Sequence, residues 1–178
     1  MHTITLIAYG QFDMEFLERI AAEIATELNY PLSLIQGHLD MGDYYDPRRR
    51  QYDGNKLIKV VDTMAPPEAS KVMGLFTVDL FIPILTYIFG QAFLNGRTGI
   101  ASLHRLKNEY YGMKPNNFLL FERFKKEIIH ELGHTLSLKH CYFPPCVMQS
   151  STYVEDIDQK EPGFCLHCLS SIKKEPEK

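Results

Sequence analysis

The stretch "HELGHTLSLKHCYFPPCVM", residues 130–148, places three histidines, a glutamate, two cysteines and a methionine close together. His130 and His134 stand at i and i+4, about 40° apart around a helix axis, so both imidazoles reach one ion. Glu131 lies beside that face, where it can approach a water held by the ion without becoming a ligand. This is HExxH, two zinc ligands with a general base between them. The residues upstream suit a long helix. Asn116 or Asn117 is the expected N-cap, and Phe121, Phe124, Ile128, Leu132 and Thr135 trace an apolar-leaning stripe.

His140 is six positions beyond His134, about 240° away if the helix continued. To join the same ion the chain must leave the helix and turn back, and Ser137 is the expected helix-ending position. A serine at positive φ costs on the order of 1 kcal/mol, less than a zinc ion bound by three histidines returns. Incidental histidines on a surface helix are the plainer alternative. Three of the seven histidines fall at ligand spacing with a glutamate in the base position, which argues against it. Three neutral histidines leave a fourth position for water, whose pKa zinc lowers to about 7. The expected chemistry is hydrolysis of a peptide bond: Glu131 takes the water's proton and delivers it to the leaving amine.

Cys141, Cys146, Cys165 and Cys168 form C-x4-C and C-x2-C, a sign of a closed tetrathiolate zinc site. Cys141 on the first ion would fill its water position. If extended, the adjacent side chains of His140 and Cys141 point to opposite sides of the backbone, so one peptide bond feeds two metals. Two disulfides, or His167 in place of one cysteine, are the alternatives to four thiolates. The second zinc would brace a C-terminal segment too short for a core of its own.

The rest of the chain sets the frame. At 178 residues and 45% hydrophobic, it suits one domain with a real core. A net charge of -3 gives no general attraction to nucleic acid or anionic membrane, and neither is expected as a partner. Arg48, Arg49 and Arg50 sit among turn formers and read as a solvated loop. The N-terminus lacks a basic region and its apolar run is too short for a signal peptide; no stretch approaches a membrane span. A cytoplasmic setting is expected, where thiolates are favoured over disulfides.

"TITLIAYG" (3–10) reads as a buried strand, followed by a helix with Phe12, Phe16, Leu17, Ile20, Ile24 and Leu28 on one face. "YPLSLIQGHLD" alternates like a strand, and "GNKLIKVVDTM" suits a helix. "KVMGLFTVDLF" and "LTYIFGQAF" are strand candidates, and "IASLHRL" (100–106) a sheet-edge strand. Alternating strands and helices mean an α/β fold. The tail "IKKEPEK" is expected to fray.

The motif, with "CLHC" at 165–168, resembles the archaemetzincins, a metzincin family of archaea and vertebrates. The resemblance in motifs covers residues 130–168. It implies a metzincin-like α/β fold: a mixed twisted sheet with helices, the zinc helix within residues 1–140, and a small zinc-braced subdomain at 141–178, together one catalytic domain. It makes Met148 the methionine of the turn beneath the catalytic zinc, and it usually has glycine where Ser137 stands. It implies an edge strand that pairs with extended substrate, for which "GRTGIASLHRL" is the candidate, and peptidase activity, of aminopeptidase type in some members. Tyr153 is a candidate oxyanion donor, against the plainer reading of a surface tyrosine. The expected function is thus a zinc metallopeptidase with two zinc ions, acting on peptides or proteins. The alternative is a zinc-stabilised peptide-binding protein that holds a partner without cutting it; the presence of Glu131 favours the enzyme.

Overall fold

The computed structural model describes residues 3–172. Of the tail expected to fray, residues 172–178, only Ile172 lies within them. Strand β1 (Ile4–Tyr9) is buried along its whole length, as an unbroken apolar run requires in a sheet covered on both faces. Asp13 then caps α1 (Met14–Leu28), its carboxylate accepting from the backbone N–H of Glu15 and Phe16. The helix buries Leu17, Ile20, Ala21 and Ile24 and ends at Asn29 in the left-handed conformation. β2 (Leu32–Gly37) follows. The arginine run lies in an exposed turn between β3 (Tyr45–Asp46) and β4 (Gln51–Asp53), and Asp53 caps α2 (Gly54–Met64). β5 (Lys71–Phe76), β6 (Leu80–Phe81), β7 (Gly90–Ala92) and β8 (Thr98–Ser102) precede the long α3 (Asn117–Thr135), capped by Asn116. Short helices α4 (Val154–Asp158) and α5 (Leu166–Ile172) complete the described chain.

The main sheet has the order β2-β1-β5-β8-β7, parallel except for β7, and β3, β4 and β6 form a small second sheet. Strand periodicity divides the core in two. Leu6, Ala8, Met73, Leu75 and Ala101 pack with α1 and α3. Ile7, Tyr9, Val72, Phe76 and Ile100 pack on the other face with Leu57, Ile58 and Val61 of α2. The mixed α/β fold with its long histidine-bearing helix is as expected. Among the described residues, no helix is long and apolar enough to cross a membrane.

Three strand expectations need correction. "IASLHRL" is not an edge strand: β8 lies between β5 and β7, all five of its residues are buried, and residues 104–106 form a 3-10 turn. With α2 and α3 covering its two faces, it has no solvent side to give a clear alternation. The edge belongs to β7, only Gly90–Ala92 of "LTYIFGQAF". "KVMGLFTVDLF" splits at residues 77–79 into β5 and β6, which join different sheets.

Candidate catalytic cleft and metal centres

Helix α3 ends in a motif that reverses the chain. The N–H of Leu138 bonds to the Gly133 carbonyl at 3.0 Å and that of Ser137 to the His134 carbonyl at 3.1 Å, with Ser137 at φ 70°. This is Schellman geometry with serine in the left-handed position that usually holds glycine. It returns His140 to the helix end, where the ligand nitrogens of His130, His134 and His140 all lie within 4.8 Å of one another.

Backbone carbonyls fix the two helical rings. His130 Nδ1 donates to the Val147 carbonyl at 2.8 Å, and His134 Nδ1 donates to the Leu138 carbonyl at 2.7 Å. Each proton is thereby placed on Nδ1, leaving Nε2 as a lone pair. The two Nε2 atoms face each other at 3.2 Å. Two lone pairs so placed repel unless a cation lies between them. Tetrahedral zinc, with bonds of about 2.0–2.1 Å to nitrogen, sets such atoms about 3.3 Å apart. Burial lowers the pKa of all three histidines, keeping the imidazoles neutral as ligation requires. The three residues fit zinc.

The sulfurs pass the same test. Cys141 Sγ and Cys165 Sγ are 3.8 Å apart, as are those of Cys146 and Cys168. Zinc–sulfur bonds of about 2.3 Å in a tetrahedron give a spacing of about 3.8 Å. All four cysteines are free thiols, so the two-disulfide alternative is not what the structure contains. Burial pushes the Cys146 and Cys168 thiols up. Burial also works against the Cys165 thiolate, but hydrogen bonds from Cys168 and the neighbouring thiols bring it down to about 7. His167 is exposed and outside this group. His140 and Cys141 belong to different clusters, so the chain diverges between them.

The segment between Cys146 and Cys165 lies against α3. Met148 is fully buried, and a Cβ on Gly133 would collide with its sulfur. Asp158 of α4 forms a bidentate ion pair with the buried Arg123, at 2.7 and 2.6 Å.

Beside the histidines runs a cleft of about 710 Å³. One wall is the β7 segment from Leu85 to Ala92, the floor holds Glu127, His130, Glu131 and His134, and the other wall is Ser150–Tyr153. Tyr153 is exposed on that wall. Glu131 is buried, and its Oε2 has no hydrogen-bond partner. Burial, then the neighbouring carboxyl of Glu127, raises its pKa well above the usual range. Gly90 makes room for it, since a Cβ there would lie 2.7 Å from Glu131 Cγ and 2.8 Å from the Ile100 carbonyl oxygen.

Sequence reasoning missed Glu127 and Lys160. Glu127 lies one helical turn before Glu131, and burial raises its pKa to about 7. The i, i+4 pair Glu127/Glu131 was available as a signal. The buried ammonium of Lys160 faces both carboxyls from the C-terminal segment, and burial lowers its pKa. Nothing local in the sequence announces that contact.

The family model described as Peptidase family M54 matches residues 29–174. An archaemetzincin of Thermococcus kodakarensis is 38% identical over 134 residues, 75% of this chain and 72% of the relative. A zinc-dependent peptidase from Methanocorpusculum labreanum superposes with a TM-score of 0.86 at 27% identity, covering 95% of this chain and 99% of the other. The archaemetzincin of Methanopyrus kandleri gives 0.84 at 31% identity, covering 97% and 94%.

Proposed function

The chain belongs to peptidase family M54, the archaemetzincin zinc metallopeptidases, and from that premise we propose that Glu131 is its general base and that it holds two zinc ions. His130, His134 and His140 would hold the catalytic ion, and the four cysteines a structural one. When bound, the catalytic ion supplies Lewis acidity, acidifying a water and polarising a substrate carbonyl.

The residues of the chain do the rest. Glu131 accepts the proton of the attacking water and returns it to the leaving amine. Its burial beside Glu127 increases its proton affinity, the direction a base at neutral pH requires. Val147 and Leu138 hold the ligand rings through their carbonyls. β7, the last strand of its sheet, offers its outer edge to an extended peptide. Residues 1–140 and 141–178 act as two parts of one catalytic domain, with Met148 packed beneath the histidine helix. The free thiols suit a reducing, cytoplasmic setting. Aminopeptidase action is the mode of cleavage proposed.

The observation that carries this reading is the pair of facing Nε2 lone pairs with the buried, unpartnered Glu131 oxygen beside them. The test is cleavage of a diverse peptide library, read by mass spectrometry, for zinc-loaded wild type and Glu131→Ala. Cleavage by wild type alone, one residue at a time from the amino terminus, is expected. Equal cleavage by both proteins would remove Glu131 from its role, and internal cuts would replace the aminopeptidase mode by an endopeptidase one.

A further inference from the structure

The two cleft walls are joined at one end. Tyr87 Oη donates to the Thr152 carbonyl at 2.7 Å. The Tyr87 ring carries the Arg105 guanidinium 4.1 Å from its centroid, and Arg105 is locked to Asp79 by hydrogen bonds of 2.6 and 2.7 Å. The β7 hairpin runs antiparallel to α3: the Asn95 N–H bonds to the His134 carbonyl at 3.0 Å, and Gly90 sits against Glu131. Continuing that register brings Tyr87 to the Glu127 end of the floor. The closed end of the cleft is therefore the end that holds the carboxyl the hydrolysis does not use.

We propose that Glu127 is a specificity-determining residue that selects a cationic nitrogen group of the substrate, a basic side chain or a free α-amine, at the closed end of the cleft. The proposal rests on the peptidase reading and adds the substrate class.

Charge and hydrogen-bond supply both point to a cation. The Lys160 ammonium faces two carboxyls, Glu127 and Glu131, with no direct ion pair to either. Asp156, which also faces Lys160, already accepts the backbone N–H groups of Thr152 and Tyr153 at 2.8 Å each. Glu127 lines the cleft and Lys160 does not, so the cleft meets the carboxyl rather than the ammonium. The cleft also holds buried polar atoms that lack partners. Glu131 Oε2 and Ser151 Oγ are buried without partners, and both residues line the cleft. A substrate N–H cation supplies donors to such acceptors, and its hydrogen bonds to a carboxylate are the stronger, charge-assisted kind. Leu85 and Tyr87 give an alkyl stem an apolar wall on its way to the acid.

The test uses peptides in matched pairs. Lysine is compared with acetyl-lysine at each position, and a free amino terminus with an acetylated one. Binding is measured by calorimetry to zinc-loaded Glu131→Ala protein, so it is read without cleavage; kcat/KM ratios are measured on wild type. The cationic member of one pair is expected to bind about tenfold tighter or more. Glu127→Gln in the same background should bring that ratio to within about twofold, with zinc content and melting curve checked. The pair that shows the effect identifies the source, side chain or α-amine. No preference in any pair, or a preference that survives Glu127→Gln in a folded protein, overturns the proposal. If that variant does not fold, Glu127→Asp must weaken the ratio while keeping its sign, and an unchanged ratio overturns the proposal. Failure of wild type to cut any peptide would count against the peptidase reading, while the binding ratios would still decide the role of Glu127.

Discussion

His130 and Val147 are joined by a 2.8 Å hydrogen bond from Nδ1 to the backbone carbonyl, across the boundary between the histidine helix and the cysteine-bearing segment. The bond sets the tautomer of a candidate zinc ligand from a residue that directly follows Cys146. The cysteine cluster thereby bears on the orientation of the histidine cluster, although the two share no residue.

Metal content should separate the two sites. Wild type is expected to carry two zinc ions, and His134→Ala one, with the fold retained. Cys165→Ser should lose the other ion and also unfold at lower temperature, because segment 146–165 is then held at one end only. Elemental analysis with a thermal melt decides this; equal metal loss from both variants with unchanged melting would indicate one shared site.

Gly90→Ala places a Cβ 2.7 Å from Glu131 Cγ, with the Ile100 carbonyl blocking retreat. Glu131 must shift, and a misplaced base costs about 100-fold in kcat/KM. Zinc content should stay at the wild-type value, since no ligand is touched. Steady-state kinetics at full zinc occupancy reads the effect, and unchanged kcat/KM would show that Gly90 does not position Glu131.

Gly133→Ala tests the packing of Met148 against the histidine helix. The new methyl meets Met148 sulfur and lies 3.0 Å from Phe164 Cε1. Overpacking of this kind costs about 1–3 kcal/mol. Calorimetry should find a melting temperature several degrees below wild type, with weaker zinc retention at the histidines because Val147 moves with Met148.

Ser137→Gly should stabilise. Serine at φ 70° pays about 1 kcal/mol that glycine does not, and the buried, unpartnered Ser137 Oγ is removed as well. A rise in melting temperature of about 2–4 °C is expected for a chain of this size. A fall would mean that the hydroxyl has a role the Schellman turn does not explain.

The clustering of the three histidines and of the four cysteines, the place of Glu131, the long α3 and the reversal at Ser137 were legible in the sequence, because each depends on residues close in the chain. Helical spacing puts His130 and His134 on one face, a left-handed residue returns His140, and short cysteine pairs converge on one centre. The walls of the cleft were not legible in this way. β7 replaced β8 at the sheet edge because burial of β8 under both α2 and α3 blurs its polar–apolar alternation. Lys160 reaches Glu127 and Glu131 from a distant segment, and Tyr87 meets Thr152 across the cleft. The convergence of candidate metal ligands here is largely a local property of spacing, which a sequence states directly. The shape and charge of the space beside the metal come from packing between remote segments, and only the tertiary structure decides them.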